Sequence, residues 1–117
     1  MPYAAQVRST DTHGRMLCTA REHHFVSDGP ASLGCPEEEV MPGELFLAGI
    51  AACGVELVEV FANEEGFPLS AAHCAIEGEV GSGDSGLTLF ESVKLEFVLK
   101  GLTEEQGAHL VERFKAR

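Results

Sequence analysis

Residues 41–61, MPGELFLAGIAACGVELVEVF, are the most hydrophobic stretch of the chain, and they constrain its fold more than any other feature. Pro42 suits the first helical position, and Glu44 falls in the first turn, where a carboxylate complements the helix dipole. The pattern predicts a helix from Pro42 to about Asn63. From Leu45 to Val55 its apolar residues cover nearly the whole circumference, and a helix of that kind is buried on most sides. A single domain spanning all 117 residues has little with which to bury it, so a second copy of the chain, in a homodimer, is expected to cover part of it. Glu56 and Glu59 interrupt the run. The segment is read as too short and too charged to cross a bilayer, which needs about 20 apolar residues.

The rest of the chain alternates in the manner of strands. YAAQVRST and RMLCTAR flank DTHG, a turn-rich quartet ending in glycine, and together they predict a β-hairpin. HHFVSD follows as a third short strand, which DGP ends. A loop with Pro30, Gly34, Pro36 and the acidic run Glu37–Glu39 leads into the helix. EEGFPL closes that helix. SAAHCAIEGEV and LTLFESVKLEFVLKG then predict two long strands. In the second, Val93, Leu95, Phe97 and Leu99 share one face, with Lys94, Glu96 and Lys100 on the other. Thr103 with Gln106 three residues on makes a capping box for a last helix, on which Leu110, Val111 and Phe114 form the apolar stripe. The fold class is α+β: N-terminal antiparallel strands, a long central buried helix, a β-hairpin and a C-terminal helix.

Several function classes fall away. Eight Lys and Arg against 19 Asp and Glu give a formal net charge of −11, which argues against nucleic acid as a partner. MPYAAQVRSTD has no basic segment followed by an apolar one, so no signal peptide is read; a soluble cytoplasmic protein, without membrane association, is expected. The four cysteines, Cys18, Cys35, Cys53 and Cys74, are then expected to be reduced thiols. None has CxxC spacing, and His23–His24 and His73–Cys74 are neighbours that point to opposite faces of a strand, so no metal or cofactor site is expected. GSGDSG, residues 81–86, has the letter pattern of a dinucleotide loop. A strand follows it rather than a helix, and it reads as a flexible hairpin loop.

Cys53 is the remaining chemical candidate. Packing explains it one way, because a free cysteine behaves as a small hydrophobe and its neighbours Ala48, Gly49, Ala51, Ala52 and Gly54 would let another backbone approach closely. Chemistry explains it another way, and requires a thiolate with something to stabilise it. The helix dipole fades within the first turn, and Cys53 lies roughly 15 Å from the helix start at 1.5 Å per residue. Glu56, at i+3, would raise the thiol pKa. A stabilising cation must come from elsewhere, and the N-terminal strands offer Arg8, Arg15 and Arg21.

MPGELFLAGIAAC resembles the segment that marks the OsmC/Ohr family: a proline, a glutamate, and an alanine-rich apolar helix carrying a cysteine. HHFVSDGPASLGC resembles the strand and loop that precede it, and LTLFESVKLEFVLKGL the strand that follows, so the match covers most of the chain in order. The resemblance implies an OsmC-like fold and an intertwined homodimer with the long helices at its centre. It implies a thiol peroxidase that reduces organic hydroperoxides in oxidative-stress defence. Cys53 would be the peroxidatic thiol, Arg15 or Arg21 its supporting cation, Glu44 a candidate carboxylate, and an external dithiol the reductant.

Three departures qualify the match. Gly43 stands directly after the motif proline, where the best-characterised peroxidases have glutamate; Glu44 comes one residue later and nearly opposite Cys53 on a helical wheel. The supporting arginine is either Arg15 or Arg21. The family's second cysteine would fall beyond the last helix, about where this chain ends, which suggests a shortened chain. The alternative expectation is a catalytically weak OsmC-like dimer that acts as a small-molecule binding module, and the blandest is a dimeric domain with a packing cysteine.

Overall fold

The long apolar stretch becomes α1, Pro42–Glu65, two residues longer than its periodicity indicates. Met41 precedes it, and the Met41 N–H donates to Glu44 Oε1 at 2.8 Å, so the first-turn carboxylate serves as a cap. A computed structural model describes residues 2–80 and 90–116. The chain is α+β, with two antiparallel sheets and two α-helices among these residues. The expected glycine-rich hairpin loop at 81–86 lies outside them.

Two compact units divide the chain at Phe46/Leu47. In the first, β1 (Gln6–Ser9), β2 (Arg15–Ala20) and β3 (His23–Asp28) form a meander in that order. β2 and β3 are joined by a two-residue turn, Arg21–Glu22, which fixes their register from Ala20↔His23 to Arg15↔Asp28. Arg21 has φ 55°, a left-handed conformation that side chains other than glycine, asparagine and aspartate seldom adopt. A 3-10 turn, Ala31–Leu33, starts the return loop. Val40 then meets β3: its carbonyl accepts from Asp28 N–H at 3.3 Å and from Ser27 Oγ at 2.7 Å.

The second unit lays β4 (Ala71–Val80), β5 (Phe90–Lys100) and α2 (Glu104–Lys115) against one side of α1. β4 and β5 pair antiparallel from Ala71↔Lys100 to Glu79↔Ser92. Their alternation is as expected, with Val93, Leu95, Phe97 and Leu99 turned inward. Val58, Phe61, Ala62 and Leu110 form the core, with Phe97, Leu99 and Leu102 packed on it. The capping box at Thr103 and Gln106 is present. α2 is also tied to the C-terminal end of α1, where the dipole and two carboxylates concentrate negative charge. Arg113 donates to Glu65 at 2.9 Å and Glu64 at 3.2 Å, lies 3.8 Å over the Phe61 ring, and His109 Nε2 sits 2.9 Å from Glu65.

Within its own chain α1 is covered on one side, as expected of a helix that so small a domain cannot bury alone: Ala51, Gly54, Val58, Phe61 and Ala62 are buried, while Gly49, Ala52, Cys53, Glu56 and Val60 are exposed. One hairpin and one helix cover only one face of a cylinder. The expectation that the segment is too short to cross a bilayer needs correction, because α1 has 24 residues and an 18-residue window with mean hydropathy 2.0. Its packed face, fastened to a hairpin and a second helix, is that of a core helix.

Candidate thiol site

Cys53 stands on the face of α1 that points away from the core of its own unit. Gly49 at i−4, Glu56 at i+3 and Val60 at i+7 share that face, and Val60 is 46% exposed. The residue next along, Gly54, points inward. A Cβ there would lie 2.9 Å from Phe97 Cζ, so the absence of a side chain lets the Phe97 ring, stacked edge-on with Phe114, approach the helix. The small residues thus serve two faces: Ala51 and Gly54 pack within the chain, while Gly49, Ala52 and Cys53 do not. The Cys53 thiol therefore fills no space in the core of its own chain.

Beside this face runs an open groove of about 590 Å³ between α1 and β4, lined by Ala51, Ala52, Val55, Glu56, Glu59, Val60 and Cys74. Burial pushes the Cys74 thiol above its ordinary pKa, which keeps it protonated and a poor nucleophile. All four cysteines are free thiols. Cys18 is buried in β2. Cys35 is wedged against Gly14 and Gly29, where an added Cβ would come within 2.6 Å and 2.7 Å of its Sγ. Among the described residues, no three His, Cys, Asp or Glu side chains gather to hold a metal ion.

Of the candidate arginines, all in the first unit, Arg8 lies on β1, while Arg15 starts β2 and Arg21 follows its end. Arg15 is built in. Its Nη2 donates to Asp28 Oδ2 at 3.0 Å and to Glu38 Oε1, and its Nε is buried with no hydrogen-bond partner among the described residues. Asp28 is fully buried, and it also accepts from the backbone N–H groups of Glu38 and Glu39 at 3.0–3.2 Å. Burial alone would push the Asp28 carboxyl up, but the Glu39 N–H, Arg15 and the Glu38 N–H outweigh it and hold the group below the usual range. Hydrogen bonds from Arg15 to Glu38, then to Asp28, bind its proton more tightly than usual. Arg21, by contrast, is exposed at the hairpin turn. Glu44 is engaged with Met41 at the helix start.

Sequence reasoning missed Asp28 and Glu38. Asp28 was legible in principle. With a two-residue turn at Arg21–Glu22, counting back along both strands sets Arg15 opposite Asp28. The pairing of Glu38 with Arg15 has no such local signal, because it depends on how the loop returns.

No family model matches the sequence, and no curated protein matches it. The fold does have relatives among solved structures. The OsmC-like protein of Mycoplasma pneumoniae superposes with a TM-score of 0.84 at 13% identity, over 100% of this chain and 82% of that one. An organic hydroperoxide resistance protein of Elizabethkingia anophelis gives 0.80 at 18%, over 99% and 82%. The organic hydroperoxide resistance protein OhrB of Bacillus subtilis gives 0.72 at 21%, over 99% and 84%. At these identities the likeness is one of fold.

Proposed function

We propose that this chain, which has the OsmC/Ohr fold, is a homodimeric thiol peroxidase of the cytoplasm that reduces organic hydroperoxides, with Cys53 as the peroxidatic thiol and Arg15 as its supporting cation. The observation that carries the reading is the placement of Cys53. The thiol fills no space in the core of its own chain; it stands exposed on the opposite face of α1, with Glu56 and Val60, which line an open groove. Apolar surface left uncovered in both units supports the dimer: Val7 and Phe25 in the first, Val60 in the second.

In the reaction, the Cys53 thiolate attacks the outer oxygen of ROOH. The S–O bond forms as the O–O bond breaks, and the alkoxide leaves as ROH after taking a proton from water. The sulfenic acid then condenses with one thiol of an external dithiol, releasing water. The second thiol of that reductant displaces Cys53 as thiol and departs as a cyclic disulfide. Arg15 is assigned over Arg21 because its guanidinium is held in place by a buried carboxylate, and an ordered cation costs less to bring to bear on developing charge. Glu44 is assigned to the helix cap.

One observation favours the second reading, a binding module with weak chemistry: Arg15 already carries two carboxylates. Consumption of cumene hydroperoxide with dihydrolipoamide, wild type against Cys53→Ser, separates the two. Multiple turnovers that vanish in the variant are expected. Equal, slow consumption by both proteins would leave the binding module.

A further inference from the structure

The groove between α1 and β4 carries charge of one sign. Ala51, Ala52 and Val55 give it apolar walls, β4 adds Cys74, and its charged groups are Glu56 and Glu59. Burial keeps the Cys74 thiol protonated, so β4 brings no charge. Glu59 also lines a second hollow of about 400 Å³, which runs on past Ala62, Phe67, Leu69 and Ala72, again without a Lys, Arg or His in its lining. From Ala51 to Asn63 the helical wall of the two is roughly 18 Å long at 1.5 Å per residue. Neither Glu56 nor Glu59 has an ion pair or hydrogen bond among the described residues. Glu64 and Glu65, farther along the same helix, are both neutralised by Arg113. Glu56 lies one turn from Cys53 on the same face, about 5–6 Å away between Cβ atoms.

We propose that Glu56 and Glu59 are specificity-determining residues, which reserve the groove for uncharged hydroperoxides with a hydrocarbon body and turn away those that carry a carboxylate. The proposal rests on the reading of Cys53 as the peroxidatic thiol and adds the class of its substrate. A hydroperoxide whose outer oxygen meets Cys53 lays its body past Glu56 and along the groove. An uncharged body buries hydrocarbon against the alanines and Val55. A carboxylate on that body meets two like charges and no counter-ion, beside apolar walls that screen poorly. Selection of this kind works by repulsion of the wrong substrate, with no added contact to the right one.

The test has two arms, both on the double variant Glu56→Gln, Glu59→Gln; the two side chains are exposed, so the fold tolerates the change. The first compares alkylation of Cys53 by iodoacetate, an anion, and by iodoacetamide, which is neutral, with peptide mass spectrometry as the readout. The same thiolate displaces iodide from both reagents, so the thiolate fraction cancels in the ratio of rates and the reagent's charge remains. At low ionic strength the variant is expected to raise the iodoacetate-to-iodoacetamide ratio about three- to tenfold, the effect of one or two unit charges at about 6 Å in water. Glu105→Gln removes the same charge from α2, away from both hollows, and is expected to leave the ratio in place. An unchanged ratio in the double variant, or an equal rise in Glu105→Gln, overturns the proposal, the latter in favour of the net charge of −11. The second arm compares kcat/KM for linoleic acid hydroperoxide and for its methyl ester, with dihydrolipoamide as reductant. The wild type is expected to prefer the ester and the variant to lose that preference. A preference that survives in the variant overturns the proposal and leaves the peroxidase reading in place. No turnover of either substrate, with the alkylation ratio shifted, overturns the peroxidase reading and the substrate class with it.

Discussion

Arg15 and Asp28 face each other across the β2–β3 hairpin, guanidinium to carboxylate at 3.0 Å, and the carboxylate has no exposed surface. This pair joins three segments: the start of β2, the end of β3 and, through the Glu38 and Glu39 N–H groups, the loop that leads to α1. The proposed role of Arg15 depends on it.

Acid should loosen the fold through two carboxyls. Asp28 and, through Arg113 and then His109, Glu65 are held below their ordinary values. A carboxyl whose pKa is lower folded than unfolded stabilises the protein above its unfolded pKa, about 3.9 for Asp and 4.3 for Glu, and that contribution is lost as pH falls from there through the folded value. The melting temperature is therefore expected to drop below about pH 4.3, and less steeply in Glu65→Gln. An identical slope in wild type and variant would remove Glu65 from the account.

Arg21→Gly should stabilise the protein. The turn holds Arg21 at φ 55°, where a Cβ is strained and glycine is not. Relief of that strain, less the greater freedom of glycine in the unfolded chain, is expected to gain about 0.5–1 kcal/mol in urea titrations. Cys53 reactivity should not change, because Arg21 lies beyond the far end of β2 from the Asp28 cluster. A slower Cys53 would return Arg21 to the site.

Two glycines of α1 should respond oppositely to alanine. Gly54→Ala drives a methyl into Phe97, with Cζ at 2.9 Å, and is expected to cost about 1–3 kcal/mol through overpacking. At Gly49 an added Cβ meets nothing within 4 Å in its own chain. The gain in helix propensity is about 1 kcal/mol. If a second copy packs on that face, however, Gly49→Ala should weaken the dimer, which sedimentation at graded concentration would detect. An unchanged dimer would place the contact elsewhere.

Mild peroxide is expected to leave Cys53 as a trappable sulfenic acid. Condensation needs a second thiol able to reach it, and the other three are engaged: Cys18 is buried, Cys35 is wedged, and Cys74 is kept protonated by burial. Mass spectrometry with a sulfenic-acid trap reads the outcome. Rapid formation of a Cys53–Cys74 disulfide would contradict this and assign Cys74 a resolving role.

Secondary structure was largely legible, and the reasons are local. β3 was read to the residue from HHFVSD, and the α2 cap from Thr103 and Gln106, because strand alternation and capping are properties of a few consecutive residues. The long helix was legible as a helix, and as one that a chain of this size cannot cover alone; which residues stay uncovered was not. An apolar circumference says that the helix will be covered, not which chain does the covering. The site was legible only in part. Cys53 was singled out as a candidate by its setting. Asp28 was hidden inside DGP, which reads as a strand breaker, and its role depends on backbone N–H groups ten and eleven residues away.

Cys35 offers the loop a clock. Its sulfur rests against the backbone of Gly14 and Gly29, and the residue is only partly exposed. A reagent reaches Cys35 more readily when the loop lifts off the hairpin, so its labelling rate reports on that opening. That rate is a native stopwatch for the same segment that carries Glu38, and it needs no introduced probe.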